Sequence, residues 1–259
     1  MKLVIFDISG TLIDQGSLVT VKTFQKVFKK YKLYINPELI IKDMGIDKNT
    51  HIKKILSDPK IIVQLKKNKI NKKNIFKKVC NEFNKVLKKE VKTKFDYIEG
   101  FDELINFLKK RNIKIALTTG YPRNIIDYIL QRFKRKKFYP DYSVCVSDVK
   151  RGRPYNDMII KILKTLNIKK KDAIKIDDSF SGILEGKNAK IKTIGLTLTG
   201  INFPKTIQQK RKISKKELNL AHIKISKKFK KINTDFILKD LRDVKNILKT
   251  YLFNKSISI

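Results

Sequence analysis

A doubly wound parallel α/β sheet carrying an inserted all-helical domain is the fold class this sequence predicts, and two observations predict it. Short apolar or β-branched runs at residues 3–7, 113–119, 142–146, 173–177 and 191–196 alternate with helical patterns, the arrangement of parallel strands joined by crossover helices. Between the first two runs lies a stretch from about 15 to 96 with no convincing strand and with apolar residues at helical spacing.

The first run, Leu3-Val4-Ile5-Phe6, meets Asp7 and then a Gly10-Thr11 turn. In the insert, Phe76, Val79, Phe83, Val86 and Leu87 recur on one helical face with Lys opposite, and Pro37 and Pro59 divide the stretch into several helices. An insertion after the first strand overhangs the C-terminal edge of the sheet, where a lid covers the crevice. Residues 1–14 and 97–259 are therefore read as the core and 15–96 as a helical cap. Phe101, Leu104, Ile105 and Leu108 keep helical spacing before the second strand, and Met158, Ile159, Ile162, Leu163 and Leu166 before the fourth. The Lys-rich segment 205–231 reads as a loop-and-helix excursion, 235–238 as an edge strand, and a final helix runs through about 252.

A chain of 259 residues with 41% hydrophobic content supports a packed core. No segment approaches the roughly 18–20 apolar residues that span a bilayer, and Asp7 breaks the N-terminal apolar run too early for a signal peptide. Cys80 and Cys145 form no CxxC pair, which fits a reducing compartment; a cytoplasmic location is expected. The net charge of +37 invites a nucleic-acid reading, but only 8 of the 61 basic residues are Arg and 53 are Lys. Arg is the preferred fork for phosphates and base edges, so specific nucleic-acid binding is not expected. The abundance of Lys, Asn and Ile is what codon drift in an AT-rich genome produces.

Asp7 before Gly-Thr reads by itself as a turn former or as a carboxylate placed at the ligand crevice of an α/β sheet, able to attack phosphorus and to ligate a metal. The rest of the chain favours the second reading. Thr118-Thr119-Gly120 closes the second strand with hydroxyls and N–H groups suited to phosphate oxygens. Arg153, after the third strand, is a cation able to balance a transferring phosphoryl group. Asp177-Asp178 closes the fourth strand with oxygen ligands for Mg²⁺. Four polar signals at the ends of successive parallel strands are hard to explain by packing.

This set resembles the haloacid dehalogenase superfamily, whose core is Rossmann-like, across nearly the whole core. In the phosphatases of that superfamily the residue two after the nucleophile is usually a second Asp that protonates the leaving group; here it is Ser9. Met44-Gly45-Ile46-Asp47-Lys48-Asn49-Thr50-His51 is similar to the cap motif M-G-x-x-K-x-x-H of the phosphonoacetaldehyde hydrolases, or phosphonatases. Further matches are Thr118-Thr119-Gly120-Tyr121, Gly152-Arg153-Pro154-Tyr155 and Glu185-Gly186-Lys187-Asn188-Ala189, and the likeness runs from residue 2 to about 200.

The resemblance implies cleavage of a small-molecule phosphonate to acetaldehyde and phosphate. It gives Lys48 the role of Schiff-base amine, with His51 and Met44 assisting proton movement, and Asp7 that of the nucleophile forming an aspartyl phosphate. It places Thr119, Gly120, Arg153 and Gly45 around substrate and phosphate, a Mg²⁺ on Asp7, the Ser9 carbonyl and Asp178, and a homodimer through the cap. By frequency alone, a Lys in this chain is a surface residue, and His51 is as readily structural as catalytic. His222, in a Lys-rich segment, has no partner pattern. The chain departs from the family at Gly182, where a further metal-motif Asp is usual, at Asp177, usually Gly, at Ser9, usually Ala, and at Ser17, often Cys. Asp177 is the residue placed to compensate for Gly182. Two rival readings stand beside this one. The first is a related hydrolase of another phosphonate or phosphate ester, with Lys48 only binding substrate. The second is a polyanion-binding scaffold that has lost catalysis, which Gly182 and the Lys excess would favour.

Overall fold

The computed structural model describes residues 1–14, 16–93 and 96–256, with the side chains at 14, 16–18, 93 and 251–256, Ser17 among them, outside the description. Strand β1 (Leu3–Phe6) is followed by the short β2 (Ile13–Asp14) and then by helices α1 (Gly16–Lys30), α2 (Pro37–Lys42), α3 (Lys48–Leu56), α4 (Pro59–Lys67) and α5 (Lys72–Thr93). The chain returns through β3 (Asp96–Tyr97) to α6 (Phe101–Lys109), β4 (Lys114–Thr119), α7 (Arg123–Arg135), β5 (Tyr142–Cys145), α8 (Asp157–Thr165) and β6 (Ala173–Asp177). It ends with α9 (Phe180–Asn188), β7 (Lys192–Leu196), α10 (Ile207–Arg211), α11 (Lys215–Lys230), β8 (Phe236–Leu238) and α12 (Leu241–Ser256).

Among the described residues, six strands form one parallel sheet in the order β5-β4-β1-β6-β7-β8. Both faces are covered, as a parallel sheet requires. Val4 and Phe6 of β1 join the large apolar cluster with α6, α7 and α12, while Leu3 and Ile5 join a second cluster with Met158, Ile159, Ile162 and Leu163 of α8. The doubly wound sheet and its strand positions agree with the sequence reading to within a residue or two.

Helices α1–α5 form the insert. Its interior is built on Phe24, Phe28, Val79, Phe83 and Leu87, all fully buried, with the Phe24 and Phe83 rings 4.4 Å apart. Pro37 and Pro59 each open a helix, where the missing N–H costs nothing, and Asn36 and Asp58 cap those helices with their side chains. The antiparallel pair β2–β3 joins the two chain crossings between insert and sheet. This ribbon is the one strand element that the sequence reading left out, because two residues per strand are too few to show an alternation. Among the described residues no helix is long and apolar enough to cross a membrane.

Candidate active site

Parallel strands end at one edge, and three neighbouring ends deliver the polar groups there. β1 presents Asp7, β4 presents Thr118 and Thr119, and β6 presents Asp177 followed by Asp178; all are at most 5% exposed. Arg153 reaches in from the loop after β5. Its guanidinium donates to Asp7 Oδ1 at 2.8 Å, to Glu185 Oε2 at 2.9 Å, and to the carbonyl and Oγ1 of Thr118 at 2.9 and 2.8 Å. Lys175, fully buried in the middle of β6, donates to Thr118 Oγ1 at 2.7 Å and lies 3.0 Å from Asp177 Oδ2.

These neighbours set the protonation of the carboxylates. Burial, and then the Asp177 charge, push Asp7 up to about 6 against the pull of Arg153 and Lys175. Asp178 is raised well above the usual carboxylate range by burial and by Asp7 and Asp177. Burial would raise Asp177 as well, but Lys175 and Arg153 outweigh it and hold that carboxyl below its usual range. Asp178 is fixed by Thr11 Oγ1 on Oδ1 at 3.0 Å and by the Ile201 N–H on Oδ2 at 3.0 Å.

The insert closes over this edge through the turn before α3. Gly45 adopts φ +94°, and a Cβ on Gly120 would stand 2.8 Å from the Gly45 carbonyl oxygen and 2.9 Å from that of Ile46, so only glycine at 120 lets the two backbones meet. Ser181 Oγ donates to the Met44 carbonyl at 3.0 Å and completes the docking. Helix α3 starts directly after, capped by Asp47, whose side chain accepts the Thr50 N–H at 2.7 Å. Its first residue is Lys48, 6% exposed, with Nζ 3.8 Å from Met44 Sδ and 6.0 Å from the centre of the Tyr121 ring. Burial and the Arg153 charge pull the Lys48 amine down to about 8.

Between sheet edge and insert lies a cavity lined by Asp7, Ser9, Thr20, Met44, Gly45, Lys48, Thr119, Gly120, Tyr121, Arg153, Asp178 and Ser179. It brings together Asp7, Ser9, Met44, Gly45, Lys48, Thr119, Gly120, Arg153 and Asp178 from the sequence reading, while His51, Thr118 and Asp177 stand outside its lining. His51 lies one helical turn beyond Lys48, fully buried against the Phe24 ring at 4.5 Å. Burial, then the Lys48 charge, hold it down to about 2, so its ring is neutral. Ser9 Oγ accepts from the Tyr121 hydroxyl at 3.1 Å, which in turn is 3.0 Å from Thr20 Oγ1.

Asp7, Asp177 and Asp178 each offer an oxygen within 4.8 Å of the others, and the mutual repulsion that raises Asp7 and Asp178 is the kind that a divalent cation relieves. The donor set is all carboxylate oxygen, which suits Mg²⁺. The residues present fit such an ion.

Lys175, Glu185 and Thr11 belong to the site, and the sequence reading gave them no role. Glu185 faces the sheet from α9, one turn beyond Gly182, and is fully buried between Arg153 and Lys175. A signal for Lys175 existed: it is flanked by Ile174 and Ile176 in a strand expected to be buried on both faces.

The model of the haloacid dehalogenase-like hydrolase family matches residues 4–196. A phosphonoacetaldehyde hydrolase of Latilactobacillus sakei subsp. sakei (strain 23K) is 30% identical over 259 aligned residues, covering 96% of this chain and 95% of the relative. One from Bacillus cereus (strain G9842) is 28% identical over 95% of this chain and 94% of its own length. Among solved structures, a phosphonoacetaldehyde hydrolase-like protein from Oleispira antarctica superposes with a TM-score of 0.90 at 25% identity, covering 96% of this chain and 91% of its own.

Proposed function

The chain belongs to the haloacid dehalogenase-like hydrolase family, and from that premise we propose that it is a Mg²⁺-dependent phosphonoacetaldehyde hydrolase of the cytoplasm. The observation that carries this reading is a buried lysine amine and a buried carboxylate lining one cavity. An ester phosphatase needs no imine-forming amine. A C–P bond does, because it breaks heterolytically only if the carbon can hold the departing electron pair.

The Lys48 amine condenses with the aldehyde carbonyl, loses water and becomes a protonated imine. An amine held near 8 is neutral in roughly a tenth of molecules at pH 7, against well under a thousandth for an ordinary lysine. Met44 Sδ orients the amine, while His51, held down to about 2 by burial and the Lys48 charge, is a poor proton acceptor and packs behind α3 against Phe24. Asp7 attacks phosphorus, and the C–P electron pair moves into the imine, leaving an enamine on Lys48 and an aspartyl phosphate on Asp7. Protonation of the enamine carbon and hydrolysis of the imine release acetaldehyde; water then releases phosphate from Asp7. Arg153, on Asp7 Oδ1, holds the nucleophile and offers a cation to the transferring group. Thr119, Gly120 and Gly45 line the path of the substrate.

A Mg²⁺ held by Asp7, Asp178 and the Ser9 carbonyl would supply charge neutralisation at the phosphoryl oxygens. Ser9 fits the scheme, since a leaving group that stays on the enzyme as an enamine needs no acid at that position. The same reading makes residues 15–96 the cap and pairs two copies through it, which sedimentation would register as a dimer. The deciding experiment is borohydride reduction in the presence of phosphonoacetaldehyde followed by peptide mapping. A two-carbon adduct on Lys48 is expected. Phosphate release without any adduct would overturn the reading in favour of a hydrolase in which Lys48 only binds substrate.

A further inference from the structure

Helix α11 spends one face on the core. Ile225 and Phe229 are buried in a cluster with Ile183, Leu198 and Phe203, and Leu218 and Ala221 pack against it. Phe229 lies so close over β7 that a Cβ on Gly195 would stand 2.9 Å from its ring. His222 Nδ1 is 2.7 Å from the hydroxyl of Thr197, just after that strand. These residues recur at three- and four-residue spacing and form the apolar stripe by which a surface helix docks.

A second apolar pair sits half a turn away, at 3.6 residues per turn, and serves no packing. Leu220 is 57% exposed and Ile223 53%, and of the six large apolar side chains exposed among the described residues these are the two that share a helix. Lys216 stands one turn before Leu220, Lys227 one turn after Ile223 and Lys224 beside both, all exposed. Among the described residues no carboxylate pairs with these three lysines. Residues 205–231 hold eleven Lys or Arg and one acid, Glu217. That carboxylate is turned back onto the helix start, where it accepts the Ser214 N–H at 3.1 Å and the Ser214 hydroxyl at 2.7 Å.

The outer face is thus cationic at its rim and aliphatic at its centre, and a partner must use both. Nucleic acid would use the cations alone, since it is bound through arginine forks and aromatic stacking, and this face has neither. A second copy would bring the same charge to the same place. An anionic lipid surface uses everything present. Its head groups attract the ammonium groups, Leu220 and Ile223 reach the acyl boundary, and the lysine stems lie along that boundary with their charges in water. We propose that the outer face of α11, centred on Leu220 and Ile223, is a docking surface for a membrane rich in anionic phospholipid. The attachment is peripheral and reversible, and it does not depend on which bond the active site cleaves.

The chain has no tryptophan, so Leu220→Trp supplies a single reporter on this face. With phosphatidylcholine vesicles containing about 30% phosphatidylserine, its emission should move to the blue and its quenching by acrylamide should fall. Phosphatidylcholine alone should do neither. Val63→Trp, at an exposed position among the lysines of α4, should stay solvent-like with both. Leu220→Ser/Ile223→Ser leaves the charge unchanged and should cut cosedimentation with the anionic vesicles ~tenfold or more. Its Tm should stay within about 2 °C of the parent, since both positions are exposed. The proposal is overturned if the parent does not sediment with anionic vesicles, if the serine pair sediments equally, or if Val63→Trp shifts as much as Leu220→Trp. A blue shift of the Leu220→Trp reporter on duplex DNA without lipid would assign the face to nucleic acid. One that grows with protein concentration alone would assign it to a second copy, and either result overturns the proposal.

Discussion

At the scale of single residues, Lys48 bears the clearest signature of function bought at the expense of stability. Its folded value of about 8 lies below the roughly 10.4 of an exposed lysine. The unfolded chain then binds more protons between those limits, so stability rises as pH climbs from about 8 to 10, and the full penalty of burying the ammonium applies below 8. The penalty is on the order of 3 kcal/mol at neutral pH. Lys48→Met should therefore raise Tm at pH 7 by several degrees, an advantage that shrinks above pH 10, while abolishing turnover; differential scanning calorimetry at the two pH values checks it. Lys48→Arg keeps the charge and cannot form an imine, so its turnover should vanish with the fold intact. The two titrations also shape the rate. Asp7, raised to about 6, binds an extra proton in the native state between roughly pH 4 and 6, so its ionised, nucleophilic form appears as pH rises through that window. Lys48 becomes a free amine nearer 8. The kcat/KM should climb towards pH 8, as the Lys48 amine loses its proton, and level off above it; that limb should disappear in any variant that turns over without an imine, and Mg²⁺ at Asp7 should carry the carboxylate's own limb to lower pH. A profile falling between pH 6 and 8 would contradict the role of Lys48.

At the scale of elements, the strand ends were readable and the contacts between elements were not. Asp7, Thr119 and Asp178 each follow an apolar run, and a parallel sheet leaves one place for such residues, its C-terminal edge. The cap turn was readable because glycine, lysine and histidine recur there at motif spacing. Lys175 was not readable: it is one lysine in 53, and only its place between two buried isoleucines marks it. Glu185 needed the packing of α9 on β6, which a glycine pair at 182 and 186 permits, since a Cβ at 186 would stand 3.1 Å from that of Lys175. The close approach of Gly45 and Gly120 is likewise a fact of tertiary structure. It supports a prediction at this scale: Gly120→Ala pushes the turn before α3 away from the sheet edge and carries Lys48 with it. The variant should keep its fold and Mg²⁺ binding, yet lose ~100-fold or more in kcat/KM, the scale of a displacement near 1 Å. Near-parental kcat/KM would show that the turn and the core loop give way independently of the amine.

At the scale of the whole molecule, the +37 charge is the property least explained by the site. The cavity holds Lys48 and Arg153 beside Asp7 and Asp178, and the proposed substrate is an anion. A field of one sign focused into a cleft raises the encounter rate of an opposite charge, and salt removes that gain. The same charges repel one another across the surface and oppose the compact state, and salt relieves that cost. The two consequences run in opposite directions, which makes them separable. Raising NaCl from about 0.01 to 0.3 M should raise Tm by a few degrees while lowering kcat/KM several-fold. The kcat itself should change less than about twofold, because interactions among these buried groups are screened little. If Tm rises and kcat/KM stays flat, the lysines carry no steering role, and their number reflects only the composition of the chain. If a polyanion such as heparin inhibits at low salt by raising KM alone, the surface field and the cavity are one electrostatic system, and the lysine excess then acts on the substrate before the site does.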